Sequence, residues 1–290
     1  MFGWRALAAA RRAGARTILH LHQYRLVCAV GVCFTEGTDC TLCHGRNTLP
    51  GVRHNCRGSR AEAALYAAAL ALWQRRMAGQ ADAIAVPSAF ALERLRTLGA
   101  PVSPPPVHIV PHVVRELADR APAPADGPAL VVSRLAPEKG VDTAIEACRI
   151  ANLDLVVAGD GPERARLEQL AGPQVQFLGR VPTAELARLR AQASLGLAPS
   201  GAAETFGLAA AEAMAGGLPV AGSRIGALPE LIPEAWLAAP GDPAALAAAI
   251  GRVRADPQAG ASALQRVRSL SAPAPVADRL GGLYDAVAPR

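Results

Sequence analysis

From residue 129 onward, short apolar runs alternate with longer stretches of helical period. The runs fall at 129–133, 153–159, 175–179, 195–198, 218–222 and 236–239, and helical spacing fills 140–151, 163–171, 183–192, 205–216 and 227–233. Short runs that are apolar throughout are strands buried on both faces, and their regular alternation with helices predicts a parallel sheet wound with crossovers. Asp242 followed by Pro243 supplies an N-cap and a first-turn proline for a further helix to about residue 254. The pattern predicts an α/β, doubly wound, Rossmann-like domain over 129–270, then a C-terminal helix within 271–290.

The chain before this is less regular. Residues 17–21 and 83–87 read as strands and 60–79 as a long alanine-rich helix. Prolines at 101, 104, 105, 106, 111, 122, 124 and 128 suit neither a helix nor a central strand. They predict a connector, placed at 113–128, after a first domain of residues 1–112. That domain shows only two clear strands and begins directly with a helix, so it reads as an incomplete Rossmann-like half.

Composition narrows the class. With 51% hydrophobic residues, 4% aromatic residues and a net charge of +6, the chain is neither disordered nor fibrous. Its longest apolar run, 63–73, is too short to span a bilayer, and the N-terminus lacks the apolar core of a signal peptide. The expected compartment is the cytoplasm. The charge is uneven: residues 1–112 carry 13 basic and 5 acidic side chains, a net +8, whereas the remainder carries 17 and 19, a net −2. Of the 30 basic residues only Lys139 is a lysine. Few aromatics and no nucleic-acid motif make nucleic acid a poor explanation of the charge.

Candidate chemistry gathers at the carboxyl ends of the expected strands, where folds of this kind bind ligands. Glu204 and Glu212 are separated by seven residues, one in the loop after a strand and one in the following helix, whose start offers N–H groups to an anion. Ser133-Arg134 and Glu138-Lys139-Gly140 follow the first strand and bring two cations to the same edge, as a diphosphate requires. Gly159-Asp160-Gly161-Pro162 marks a tight turn where backbone can approach a ligand closely.

These motifs, with Phe177-Leu-Gly179-Arg-Val and Gly216-Gly-Leu-Pro219-Val220, occur in an order that resembles the donor domain of a GT-B glycosyltransferase, of the retaining family 4 type (glycosyl transferases group 1). The resemblance implies a GT-B architecture of two Rossmann-like domains, the N-terminal one incomplete. It also implies a hexosyltransferase-type enzyme of glycan biosynthesis that moves a sugar from a nucleotide-diphosphate sugar to an acceptor, a glycan, lipid-linked glycan or small molecule. Arg134 and Lys139 would hold the diphosphate and stabilise its departure, Glu204 the donor sugar and Glu212 the ribose. Backbone N–H groups of Phe206, Gly207 and Leu208 would face the sugar and phosphate, and Gly179, Arg180 and Val181 would lie beside the base. Stabilising the leaving diphosphate in this way calls for no metal or other cofactor.

In the first domain, His22 follows a strand where the family has His-Asp, and the resemblance implies that it approaches the donor sugar and acceptor; Gln23 replaces the aspartate. Five cysteines follow, within a segment at 28–56 that resembles a cysteine-rich insert of some members. Cys40 and Cys43 have metal-knuckle spacing, and Cys28 and Cys56 would complete four thiolates for a structural zinc; reduced thiols and a disulfide fit the spacing as well. The helix at 60–79 has basic ends in the +8 segment. This suits peripheral contact at the inner face of a membrane, and equally an alanine-rich helix packed inside its domain.

Two departures stand out. Met1 falls within the N-terminal domain, about 60 to 80 residues short of its usual extent, and Val110-Pro111-His112-Val113 stands where the family shows Pro-Asn-Gly. They leave an alternative function: a truncated, inactive nucleotide-sugar-binding remnant, or a subunit that depends on a partner. Neither the oligomeric state nor the identity of the sugar follows from the sequence.

Overall fold

Two parallel sheets organise the computed structural model, which describes residues 4–119 and 126–288. The chain divides into one unit of Met1–His112 with Ala274–Arg290 and a second of Val113–Pro273.

The first unit opens with helix α1 (Trp4–Arg12) and strand β1 (Ile18–His20). A hairpin of β2 (Phe34–Thr35) and β3 (Thr38–Asp39), then helix α2 (Leu49–Arg53), carry the cysteine-rich segment. Helix α3 (Arg60–Ala78), strand β4 (Ala83–Val86), helix α4 (Ala89–Thr97) and strand β5 (Val107–Ile109) follow. The sheet order is β1-β4-β5, all parallel, with every residue of β4 buried. Strand β5 was not expected, because prolines crowd the sequence before it. It forms nonetheless, since an edge strand tolerates proline just before its first residue. Ser59 caps α3 by accepting from the Glu62 N–H, and Ser88 caps α4 by accepting from the Ala91 N–H. Helix α3 buries Ala63, Ala67, Leu70, Gln74 and Ala78 along one stripe and leaves Leu65, Leu72 and Trp73 exposed.

In the second unit the alternation is complete. Its elements are β6 (Ala129–Val132), α5 (Val141–Ile150), β7 (Leu155–Ala158), α6 (Arg164–Leu170), β8 (Val175–Gly179), α7 (Thr183–Gln192), β9 (Leu195–Ala198), α8 (Leu208–Ala215), β10 (Val220–Ser223), α9 (Leu228–Leu231), β11 (Leu237–Ala238), α10 (Pro243–Ala255) and α11 (Ala259–Ser271). The strands form one parallel sheet in the order β11-β10-β9-β6-β7-β8. From β6 the chain winds outward through β7 and β8, crosses back to β9, and winds the other way. Strands β6 and β9 are neighbours at that reversal, so the loops that leave them part to opposite sides and open a crevice at the carboxyl edge.

Three features differ from the sequence reading. Helix α8 starts at Leu208 rather than 205, because Gly207 is left-handed (φ 94°) and ends the preceding loop. Helix α11 was not anticipated. Of the expected connector, residues 120–125 lie outside the described residues, while 113–119 pack on the second unit: Val114 N–H donates to Ser271 O at 2.8 Å and Ala118 N–H to Ala215 O at 2.9 Å. The C-terminal helix, α12 (Pro273–Val287), belongs to the first unit, where Leu280, Leu283 and Val287 pack with Ile18, Ala83 and Ala85. No helix among the described residues is long and apolar enough to cross a membrane.

Candidate functional site

Three turns at the carboxyl edge of the second sheet are built backbone against backbone. After β7, the Gly159-Asp160-Gly161 turn presses on the turn after β6: a Cβ on Gly159 would lie 1.7 Å from Ser133 O, and one on Gly161 2.2 Å from Leu135 O. Hydrogen bonds lock the turns, Leu135 N–H to Asp160 O at 3.0 Å and Gly159 N–H to Gly179 O at 2.7 Å. Gly140, left-handed at φ 61°, ends a one-turn 3-10 helix at Pro137–Lys139 and lies so close to Pro199 O that a Cβ would meet it at 2.2 Å. The Gly201 N–H donates to Glu138 O at 2.9 Å.

This contact carries Lys139 to Glu204. Lys139 Nζ and Ser200 Oγ both donate to Glu204 Oε1, at 2.7 and 2.8 Å. The Glu204 backbone is fixed as well, since its carbonyl accepts from the Ala227 N–H at 2.9 Å and Gly226 leaves no room for a side chain beside it. Arg134, 60% exposed, donates from Nη2 to Glu138 Oε1 one turn along. Both candidate cations therefore carry carboxylate partners in this structure. Lys139 and Glu204 stand together, and Arg134 is the more open of the two cations.

Beyond Glu204 the chain turns through Phe206 and Gly207 into α8. The Phe206 side chain is buried in the core, so only its backbone is placed at the edge. Helix α8 begins with no capping side chain, and Leu208 is exposed. Gly179 is buried and left-handed at φ 69°, Arg180 is exposed and Val181 half-buried.

Glu212, in the middle of α8, is engaged elsewhere: its Oε2 accepts from Arg190 Nη2 of α7 at 2.7 Å. The two glutamates, one in the loop before α8 and one within it, thus have different partners. Both line-of-contact residues, Ser200 and Arg190, escaped the sequence reading. Serine in a loop and arginine on a helix carry no pattern that announces a carboxylate partner 4 or 22 residues away.

In the first unit His22 is exposed at the end of β1 and stacks on His112, with ring centroids 5.0 Å apart; His20 lies 5.9 Å from His22. Burial, then the neighbouring His22, lowers the pKa of both His20 and His112.

The zinc expectation finds no support. Among the described residues no group of three or more His, Cys, Asp or Glu is arranged to hold a metal ion, and all six cysteines are free thiols rather than a disulfide. Cys28, Cys33, Cys40, Cys43 and Cys56 line one small cavity, but their sulfurs serve local bonds. The Cys28 thiolate accepts from the Cys33 thiol, which brings Cys28 down to about 6 and pushes Cys33 up. Cys28 Sγ also accepts from the Gly31 N–H, and Cys56 Sγ pairs with Thr35 Oγ1.

Comparison with known proteins follows the same division. Residues 128–256, nearly the whole second sheet and its helices, match the family model of the glycosyl transferases group 1. A GDP-mannose-dependent alpha-(1-6)-phosphatidylinositol dimannoside mannosyltransferase of Mycobacterium tuberculosis is 41% identical over 133 residues, 43% of this chain and 35% of that protein. A GDP-mannose-dependent alpha-mannosyltransferase of Mycolicibacterium smegmatis is 33% identical over 232 residues, 74% of this chain and 60% of that protein. The chain thus spans between about a third and three fifths of these relatives. Among solved structures, the HepE protein of Anabaena, in complex with UDP and glucose, superposes with a TM-score of 0.69 at 18% identity, covering 97% of this chain and 76% of that one. With its donor-side motifs, its doubly wound sheet and these likenesses, the chain belongs to the group 1 glycosyltransferases of GT-B fold.

Proposed function

We propose that the second unit binds a nucleotide-diphosphate sugar and transfers its sugar with retention of configuration. The observation that carries this reading is the Lys139–Glu204–Ser200 cluster at the sheet reversal, directly before the uncapped start of α8. A diphosphate arriving there meets the N–H groups of 206–208, the guanidinium of Arg134 and an ammonium that trades Glu204 for phosphate oxygens. Once released, Glu204 is free to accept from a hydroxyl of the sugar. Glu212 takes the ribose, and the backbone at 179–181 lies beside the base. As the bond from sugar to diphosphate breaks, fixed cations and N–H dipoles stabilise the departing charge; removing one such donor costs about 10²- to 10³-fold in rate. Every group in this reading lies in the second unit.

The curated relatives named above are GDP-mannose-dependent, so GDP-mannose is the first donor to test. The acceptor is proposed to be a glycan or lipid-linked glycan, met where the exposed Leu65, Leu72 and Trp73 of α3, beside Arg75 and Arg76, lie against an anionic membrane. Six free thiols suit a cytoplasmic site of action. A second reading, a nucleotide-sugar-binding chain that relies on another polypeptide for its acceptor, is favoured by the contrast between a three-stranded sheet in the first unit and a six-stranded one in the second.

Calorimetric titration with GDP, GDP-mannose, UDP and UDP-glucose tests the donor site. Binding of one nucleotide pair is expected, with a loss of affinity of roughly 100-fold or more in the Arg134→Ala, Lys139→Ala double variant, because each charge-assisted contact contributes about 1.5–3 kcal/mol. A folded wild-type chain that binds none of the four would sink the reading. Binding without turnover on any offered acceptor favours the partner-dependent alternative.

A further inference from the structure

Arg190 stands in the last turn of α7 with its side chain only 13% exposed, and among the described residues its one ion pair is with Glu212. Its Nε is buried and makes no hydrogen bond. A guanidinium this deep and this incompletely satisfied is an unfavourable way to tie two helices together, since exposed arginine-glutamate pairs achieve the same link without desolvation. An exposed arginine–carboxylate pair makes such a link elsewhere on the unit, Arg166 of α6 with Asp142 of α5. Arg190 and Glu212 instead face a cleft of about 770 Å³ in the second unit, walled by Thr183, Leu186, Gly216 and residues 113–118. That volume lies in the range of small-molecule sites.

The division of labour at the carboxylate is specific. Arg190 Nη2 takes Glu212 Oε2, and Oε1 belongs to a side chain that is 39% exposed at the cleft. We propose that Arg190 is a positioning residue for the donor nucleotide: by holding Glu212 through Oε2 it presents Oε1 as a fixed acceptor for a ribose hydroxyl, and the pair together selects ribonucleotides. The proposal rests on the donor-site reading above and extends it to a residue that touches the ligand only through Glu212. A free glutamate on a helix spreads over many rotamers and would have to be ordered on binding. Held by a guanidinium, it is ordered beforehand, and a carboxylate acceptor binds a hydroxyl more tightly than a neutral one does.

The alternative is that the pair only braces α7 against α8. A brace affects folding and weakens every ligand alike; it does not alter the ratio between ligands that differ by one hydroxyl. The test is therefore calorimetry with GDP and UDP and with their 2′-deoxy and 3′-deoxy counterparts, on wild type, Arg190→Met, Arg190→Lys, Glu212→Ala and the Arg190→Met, Glu212→Ala pair. In wild type one deoxy series is expected to bind roughly tenfold or more weakly, the fold-change of one hydrogen bond to a charged acceptor. Arg190→Met should reduce that preference to within about threefold, the double variant should match Glu212→Ala, and Arg190→Lys should fall between wild type and Arg190→Met. If Arg190→Met does not fold, Arg190→Gln, which keeps a donor without the charge, is read by the same ratio.

A folded Arg190→Met or Arg190→Gln chain with the wild-type ratio overturns the proposal. Wild type that binds ribo- and deoxynucleotides equally, while still depending on Lys139, overturns it by removing the ribose role of Glu212. A wild-type chain that binds no nucleotide overturns the donor-site reading and this proposal with it.

Discussion

At Gly159 the absence of a single carbon atom decides whether the candidate site can form. Its φ of 150° and the 1.7 Å that would separate an added Cβ from Ser133 O mean that any side chain must push two turns of backbone apart. Overpacking against backbone, which has no rotamer to yield, costs about 2–3 kcal/mol. Gly159→Ala is expected to lower the melting temperature by about 4–12 °C and to weaken nucleotide binding, because the turn it displaces aligns Ser133 to Leu135, the stretch that carries Arg134 and leads to Lys139. Gly251→Ala, in the middle of α10 with nothing within 4 Å of the added carbon, is the control and should be neutral or slightly stabilising. Scanning calorimetry of the two variants decides the matter: equal melting temperatures would show that the turn contact is not what the geometry makes it. Ser200 teaches a related lesson at this scale. Its hydroxyl shares Glu204 Oε1 with Lys139, so the carboxylate retains one donor when the lysine turns to phosphate.

Among the elements, α3 is the one whose sequence supported two readings, a packed helix and a membrane-facing one, and the packing is what the structure shows. The buried stripe from Ala63 to Ala78 makes it a packed helix, while Leu65, Leu72 and Trp73 form an apolar face with Arg75 and Arg76 exposed beside it. Arg76 also lies over the Trp4 ring of α1, 5.7 Å from its centroid. The chain is expected to co-sediment with vesicles rich in phosphatidylglycerol and not with phosphatidylcholine alone. Arg75→Gln with Arg76→Gln should weaken that binding by roughly 30-fold, at about 1 kcal/mol per surface arginine. Equal binding to both vesicle types, or none to either, would remove the membrane role. The other elements show what periodicity can and cannot convey. The inner strands of the second unit were legible because both their faces are covered, which leaves apolar runs, whereas β8 at the sheet edge leaves Gln176 exposed. Strand β5 was hidden by the prolines before it; α11 was missed although Ala263, Leu264 and Val267 recur at helical spacing. For the site, motif spacing located Lys139, Glu204 and Glu212, but not what binds them, since Ser200 and Arg190 come to those carboxylates through a loop turn and a crossing of helices. The cysteine spacing left zinc, reduced thiols and a disulfide open; the structure has free thiols, and spacing does not reveal that Cys28 and Cys33 hydrogen-bond each other.

At the scale of the whole molecule, the chain makes two units from three stretches, and the last of them returns to the first. Helix α12 closes the sheet of the first unit, where Leu283 is fully buried against Ala83 and Ala85. Stability and donor binding are therefore assigned to different units: the groups proposed to hold the nucleotide all lie within Val113–Pro273, while the residues that Leu283 supports lie within the other. Leu283→Ala removes a buried side chain from a sheet of only three strands, and a substitution of this kind costs about 2–5 kcal/mol, a large fraction of what a unit of that size can spare. The expected outcome is an earlier unfolding transition for the first unit in scanning calorimetry, with GDP or UDP affinity unchanged below it and a second transition that still moves upward with nucleotide, as ligand linkage requires. A loss of nucleotide affinity in the folded variant would mean that the donor site draws on the first unit, and that Lys139, Glu204 and Glu212 do not suffice for it. Retained affinity would place the whole of nucleotide recognition on one side of the chain and leave the three-stranded unit, with His22 stacked on His112, to account for whatever receives the sugar.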